Sequence, residues 1–174
     1  LGQALTMVSG SRMTIWMAGG AYTHTSIVNI PNGLTVEGGF SVAGTIWTKS
    51  TTQTTTITFS GTETVSGVRH RIGFKANGVS NWQLKDLTII TTAITGLDPS
   101  NRGSSNYGIW INGCTNYTIS RCDITTGSAS AGGTGSVGSI GTAGSAGSMG
   151  GSGSCDGNYS CCFGSESAPG GGGG

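Results

Sequence analysis

Five acidic residues between positions 1 and 126 are candidates for acid–base chemistry: Glu37, Glu63, Asp86, Asp98 and Asp123. Cleaving a sugar polymer needs two or three such groups converging in a groove, in some cases with calcium or with a Lys or Arg base beside them. Asp86 lies in Leu-Lys-Asp-Leu and Asp123 in Arg-Cys-Asp-Ile. Both runs read as strands, so the two acids could stack on neighbouring coils, as could Lys85 and Arg121. No two of the acids share a motif, and the plainer reading is a solvated charge ladder on an outer face. His24 in Thr-His-Thr and His70 in Arg-His-Arg read as exposed strand or turn residues, not as bases or ligands. There is no Gly-x-Ser-x-Gly in a strand–turn–helix setting, no phosphate loop and no dinucleotide fingerprint. The sequence therefore predicts no catalytic, cofactor-binding or metal-binding residues, and a protein that is not an enzyme.

Five cysteines supply the other reactive groups. Cys155, Cys161 and Cys162 cluster in a polar stretch, Asp-Gly-Asn-Tyr-Ser, with no apolar core nearby. A disulfide there would staple a loop that has little else to hold it, which implies an oxidising compartment. A zinc site would want Cys-x2-Cys pairs or histidines, and neither is present. Cys114 and Cys122 are too far apart along one coil to pair easily, and they read as interior residues. Asn116-Tyr-Thr and Asn158-Tyr-Ser match the glycosylation sequon, a frequent chance match in a chain this rich in Ser and Thr.

The elements that must position these residues are short strands. The chain has 174 residues, 34 of them Gly, and only 9% are charged, with a net charge of +1. That balance gives no basic excess for nucleic acid, and no apolar run is long enough to insert in a membrane. Residues 1–126 hold most of the charge and read as one domain. Residues 127–154 form a Gly-x-x segment, and residues 155–174 a Cys-containing, Gly-rich tail. Residue 1 is Leu and the chain does not open on a charged-then-apolar signal peptide, so a processed or excerpted piece of a longer polypeptide is expected. Strands are predicted at Thr14–Ala18, Ser26–Ile30, Leu34–Glu37, Thr55–Phe59, Arg71–Ala76, Tyr107–Ile111 and Tyr117–Ile124, with one or two more in Trp82–Ile90, and the turns between them are rich in Gly, Asn and Pro. No window shows helical periodicity. The run Ile72–Leu84 repeats at Ile109–Ile119, with Ile72 matched to Ile109, which is 37 residues on. A solenoid with a loose repeat, and a side loop at 96–106, fits this better than a sandwich.

The stretch Ile109–Ile124 (IWINGCTNYTISRCDI) resembles a coil of the right-handed parallel β-helix repeat. Thr14–Phe40, with Ile15-Trp16-Met17-Ala18, Gly20, Tyr22 and Gly38-Gly39-Phe40 in order, resembles the opening coils of β-helix adhesins of bacterial surfaces. Trp47 and Thr55–Ile57 fit the continuation of those coils. The resemblance implies an all-β, right-handed parallel β-helix in a secreted or cell-surface structural or adhesive module, of a kind used in attachment or surface motility.

Gly recurs at every third position from 132 to 153. This spacing suits a polyglycine-II-like strand that packs closely along its glycine edge, and the alternative is a flexible linker. The expected partners are surface glycans or another protein, with self-association into filaments included, and the expected location is extracellular. Trp47, Tyr107, Trp110 and Tyr117 are the candidate contact aromatics. Two other functions fit less well. A carbohydrate-active β-helix lyase or hydrolase would use the acids above. An ice-binding face is suggested by the Thr run at 51–56, but that run lacks a regular Thr-x-Thr on each coil.

Overall fold

Runs of Thr, Ile and Val place branched side chains on a pleated surface, and the intervening Gly and Asn let the chain turn. The structure, a computed structural model, describes residues 1–8 and 13–150. After one short helix, α1 (Gly2–Thr6), the regular elements among the described residues are all strands. The first coil holds β1 (Thr14–Ala18), β2 (Gly20–His24) and β3 (Val28–Asn29). The second holds β4 (Thr35–Ala43), β5 (Ile46–Lys49), β6 (Thr55–Phe59), β7 (Thr62–Val65) and β8 (Val68–Asn77). The third holds β9 (Gln83–Lys85), β10 (Thr88–Thr91) and β11 (Ser105–Asn112), and a last partial coil holds β12 (Thr118–Ser120) and β13 (Asp123–Thr126).

Corresponding strands of successive coils pair in parallel. The first sheet runs β1-β4-β9-β12, the second β2-β6-β10-β13 and the third β3-β8-β11. The fold is an all-β parallel solenoid of about 3 turns. Its core is built from columns of inward side chains in register. Ile15, Val36, Leu84 and Ile119 form one column, Tyr22, Ile57, Ile89 and Ile124 a second, and Val28, Phe74 and Ile109 a third. Val36, Leu84, Ile57, Ile89 and Phe74 are fully buried, each stabilising the fold by about 1.5–3 kcal/mol. α1 covers the start of the solenoid, with Leu1, Ala4, Leu5 and Val8 packed on the core.

Three details differ from the sequence reading. From β8 onward the repeat is strict at 35 residues, as the Asn77–Asn112, Asn81–Asn116 and Asp86–Arg121 contacts show. Ile109 faces Phe74, and Tyr107 faces Ile72. A slip of two residues preserves the inward–outward alternation, so apolar pattern alone does not separate the two registers. The left-handed corner does: Gly78 (φ +63°) and Gly113 (φ +59°) must stack. Second, β5 and β7 are antiparallel additions, hairpins on β4 and β8 that lengthen the second coil. Third, the short α1 lies where no helix was expected.

At the end of the solenoid, inward positions are partly open. Ile111 and Ile124 are in register with the buried Ala76 and Ile89, yet are 36% and 43% exposed. Among the described residues no further coil stacks on them.

The first compact unit spans Leu1–Thr134. Residues 127–134 run along the loop 92–104, with Ile94 donating to Ser128 O at 2.9 Å and Ser130 donating to Ser104 O at 3.0 Å. Of the second unit, residues 135–150 carry neither helix nor strand, and Val137, Ile140 and Met149 are exposed. Cys155, Cys161 and Cys162, the tail that holds them and the sequon at Asn158 lie outside the described residues. Among the described residues no helix is long and apolar enough to cross a membrane.

Candidate functional site

The corner between the first and second sheets is shaped by Gly38, Gly39 and Thr55. Gly39 has φ +77°, a conformation that side chains disfavour. Its N–H donates to Thr55 Oγ1 at 2.8 Å, and the buried Thr55 hydroxyl donates to Ala18 O at 2.9 Å. β4 then leaves the solenoid and pairs back on β5, with Phe40 opposite Lys49 and Val42 opposite Trp47.

This hairpin brings Lys49 over the corner. Its Nζ lies 2.9 Å from Glu37 Oε1 and 2.6 Å from Asp86 Oδ2, and it donates to Gly38 O at 2.6 Å. One repeat beyond Asp86 stands Arg121, and both residues hold left-handed corners (φ +53° and +51°). Arg121 grips the carboxylate from two sides, Nε on Oδ1 and Nη2 on Oδ2 at 2.8 Å. The Arg121 guanidinium pulls the Asp86 carboxyl down to about 2, with Lys49 adding to the pull and burial opposing it. Burial also works against the Lys49 charge, but Asp86 and Glu37 outweigh it and raise the ammonium above its ordinary value. An open groove of about 390 Å³ runs beside this network, walled by Ser50, Thr51, Gln53, Thr54, Thr88 and Asp123.

The other side of Lys49 is aromatic. Its Nζ sits 4.8 Å over the Phe40 ring. Trp16 stacks on Phe40 at 4.9 Å with the planes 22° apart, and Trp47 meets Phe40 edge-on at 6.2 Å. Phe40 is buried, while Trp16 is 52% and Trp47 41% exposed. Two solvent-facing indoles thus flank a buried ring; Lys49 stands between this row and the groove, and Trp16 lines a separate hollow with Ala4, Met7, Val8, Thr14 and Ile15.

No known family, curated protein or solved structure matches the chain.

The structure gathers some predicted residues at this corner and disperses others. Glu37, Asp86 and Arg121 belong to the network, and Asp123 lines the groove. These charges are not the solvated ladder expected from sequence. Asp86 is opposite Arg121 rather than Asp123, which faces Thr88, and Lys85 faces Ser120. The 35-residue register sets this pairing, and the hairpin adds Lys49 to it. Glu63 pairs with Lys75 at 2.6 Å, and Lys75 covers Trp110 at 5.1 Å. Asp98 is buried and accepts from the backbone of Ser100 (2.9 Å) and Arg102 (2.8 Å) and from Arg102 Nε (2.8 Å). Burial raises its pKa, but these donors outweigh burial and hold it below the ordinary value. His24 Nδ1 lies 2.8 Å from Ser26 O, and the His70 ring is against Tyr107 at 5.7 Å. Among the described residues no cluster of three His, Cys, Asp or Glu could hold a metal.

Of the four contact aromatics, only Trp47 joins the site. Tyr107, on β11, packs against the His70 ring, Trp110 is half-buried under Lys75, and Tyr117 stacks flat on the buried Trp82 at 4.8 Å. Cys114 and Cys122 are unpaired thiols that pack on the core from different corners of one coil, and burial pushes the Cys122 thiol up. Sequence reasoning missed Trp16 and Phe40 as surface partners of Trp47. The signal was present in β1, where Ile15 and Met17 point inward and Trp16 between them must point out.

Proposed function

We propose that the chain is a non-catalytic structural and adhesive module of an extracellular surface, and that it holds glycans at the Trp16–Phe40–Trp47 row. The observation that carries this reading is the pair of exposed indoles that flank the buried Phe40 ring. A large apolar ring that stays in solvent is costly without a partner, and rings of this kind supply flat contact area for sugar faces. Four of the five acids are consistent with it: Glu37, Glu63, Asp86 and Asp98 are each held by a cation, while Asp123 at the groove wall has no ion pair among the described residues. A carboxylate engaged in this way serves the fold and is poorly placed to move a proton. The stacked coils supply a stiff support, in keeping with the resemblance to bacterial surface β-helices.

The test is retention on a panel of insoluble polysaccharides, with new reducing ends measured in the same tubes. Retention without release is expected. Trp16→Ala combined with Trp47→Ala is expected to lower retention about tenfold or more while leaving the melting temperature within a few degrees, because both rings are on the surface. Release of sugar ends would overturn the reading and point to an enzyme of the groove.

A further inference from the structure

We propose that Asn112 is a site of spontaneous deamidation, and that the reaction runs inward from the end of the solenoid. The chain has three Asn-Gly pairs: Asn32-Gly33, Asn77-Gly78 and Asn112-Gly113. In such a pair the glycine main-chain nitrogen can attack the Asn side-chain carbonyl carbon, because no Cβ obstructs the approach. The N–H proton passes to solvent, the new C–N bond closes a succinimide ring, and Nδ2 takes up a proton and leaves as ammonia. Water then opens the ring at one of its two carbonyls, giving aspartate or isoaspartate. Nothing is oxidised or reduced, and water is the only co-reactant.

The glycine nitrogen is the nucleophile, so its hydrogen bond decides which pair reacts. Gly33 N–H donates to Ser80 O at 2.9 Å, and Gly78 N–H donates to Asn112 O at 2.8 Å. Both bonds cross from one coil to the next and must open before the nitrogen can attack. Gly113 N–H has no acceptor among the described residues, and Asn112 and Gly113 are both exposed. The bond from Asn112 Nδ2 to Asn77 Oδ1, at 2.9 Å, restrains both side chains alike and does not separate them. Asn32 is restrained further, since its Oδ1 accepts from Ser80 N–H at 2.7 Å. Conversion at position 112 then changes the pair below it. Aspartate there no longer donates to Asn77 Oδ1. Isoaspartate also adds a main-chain carbon and displaces the carbonyl that Gly78 N–H holds. Gly78 N becomes the next free nucleophile, so the order of conversion is Asn112, then Asn77, with Asn32 last.

Peptide mapping of the whole chain, aged at mildly alkaline pH and physiological temperature, tests this. Trypsin puts the three pairs on separate peptides, residues 13–49, 76–85 and 103–121. The mass gain of amide-to-acid conversion is followed on each, and fragmentation distinguishes isoaspartate from aspartate. Conversion of Asn112 is expected to begin at once and to run about tenfold or more faster than that of Asn77 or Asn32. Asn77 is expected to follow after a lag. The same chain aged in denaturant is the control: there all three pairs should convert at similar rates, because each Asn precedes Gly. Asn112→Gln, in which the longer side chain closes the ring far more slowly, should hold Asn77 at its initial slow rate throughout. Conversion of Asn77 or Asn32 as fast as Asn112 from the outset would overturn the proposal. An Asn112 that stays intact in the folded chain while the unfolded chain converts would overturn it as well. Conversion of Asn77 with the same time course in wild type and Asn112→Gln would overturn the inward order.

Discussion

Asp86 ties together Lys49 of the hairpin and Arg121 of the last coil, and its carboxyl titrates at about 2 in the folded chain. Its ordinary value is 3.8. A carboxyl with a depressed folded value binds its proton more readily in the unfolded chain. Its contribution to stability is therefore complete above the ordinary value and fades as the pH falls from about 4 to about 2. Asp98 is held low as well and acts in the same direction. The urea midpoint of the wild-type chain should thus drop across this window. Asp86→Asn should lower stability at neutral pH by about 1–2 kcal/mol, a figure kept small because Arg121 is largely in solvent. The variant should then lose less than the wild type on acidification, since only the Asp98 part remains. Parallel pH curves for the two proteins would show that Asp86 does not hold the corner.

The hairpin β4–β5 brings Lys49, Trp47 and Phe40 to the site, and two of its glycines separate two kinds of constraint. At Gly38 an added Cβ would run into the Asp86 carbonyl and the Thr55 side chain, both fixed parts of the corner. At Gly44, in the turn of the hairpin, φ is +61° and a Cβ would meet nothing within 4 Å. Gly44→Ala should then cost about 1 kcal/mol of backbone strain, and Gly38→Ala about 2–3 kcal/mol, because the coil stack must give way. Chemical denaturation of both variants checks the order; a Gly44→Ala cost equal to or above that of Gly38→Ala would contradict it. The same hairpin marks how far the fold could be read in advance. Solenoid strands such as Thr55–Phe59 were legible because alternation and β-branching mark a strand whichever neighbour it pairs with. The Asn-Gly corners gave the repeat its outline but left a two-residue ambiguity in its length. Ile46–Lys49 and Thr62–Val65 were not legible: their side chains are mostly exposed or half-buried, so no inward face marks them. The legibility of the site was limited in the same way. Asp86 and Arg121 stood out as charged residues in predicted strands, although both take the left-handed corners between strands, and their partner Lys49 arrives on an element that periodicity does not reveal.

At the scale of the whole molecule, the composition boundary near Gly127 and the structural boundary are different places. Ser128, Ser130 and Gly133 are hydrogen-bonded to Ile94, Ser104 and Asn101, and Asn106 donates to Gly127 O at 2.9 Å. Ile94, Asp98 and Ser104 are buried in the loop that these residues border. The glycines here serve close approach: at Gly103 a Cβ would collide with the backbone of residues 130–132. Eight residues of Gly-rich sequence thus complete the side loop, although they have no large side chain to bury. Arg102 makes this measurable, because trypsin cleaves after it once the loop opens. A chain ended at Thr134 keeps every one of these contacts and should resist cleavage at Arg102 as the whole chain does. A chain ended at Thr126 loses them, and cleavage there should accelerate about tenfold or more, since losing several bonds of roughly 1 kcal/mol each raises the open population by at least that factor. Its far-ultraviolet spectrum should stay β-rich, because the core columns end with Ile124. Equal resistance in the shorter chain would mean that residues 127–134 only lie along the loop; faster cleavage in the chain ended at Thr134 would place part of the support further along the Gly-x-x segment.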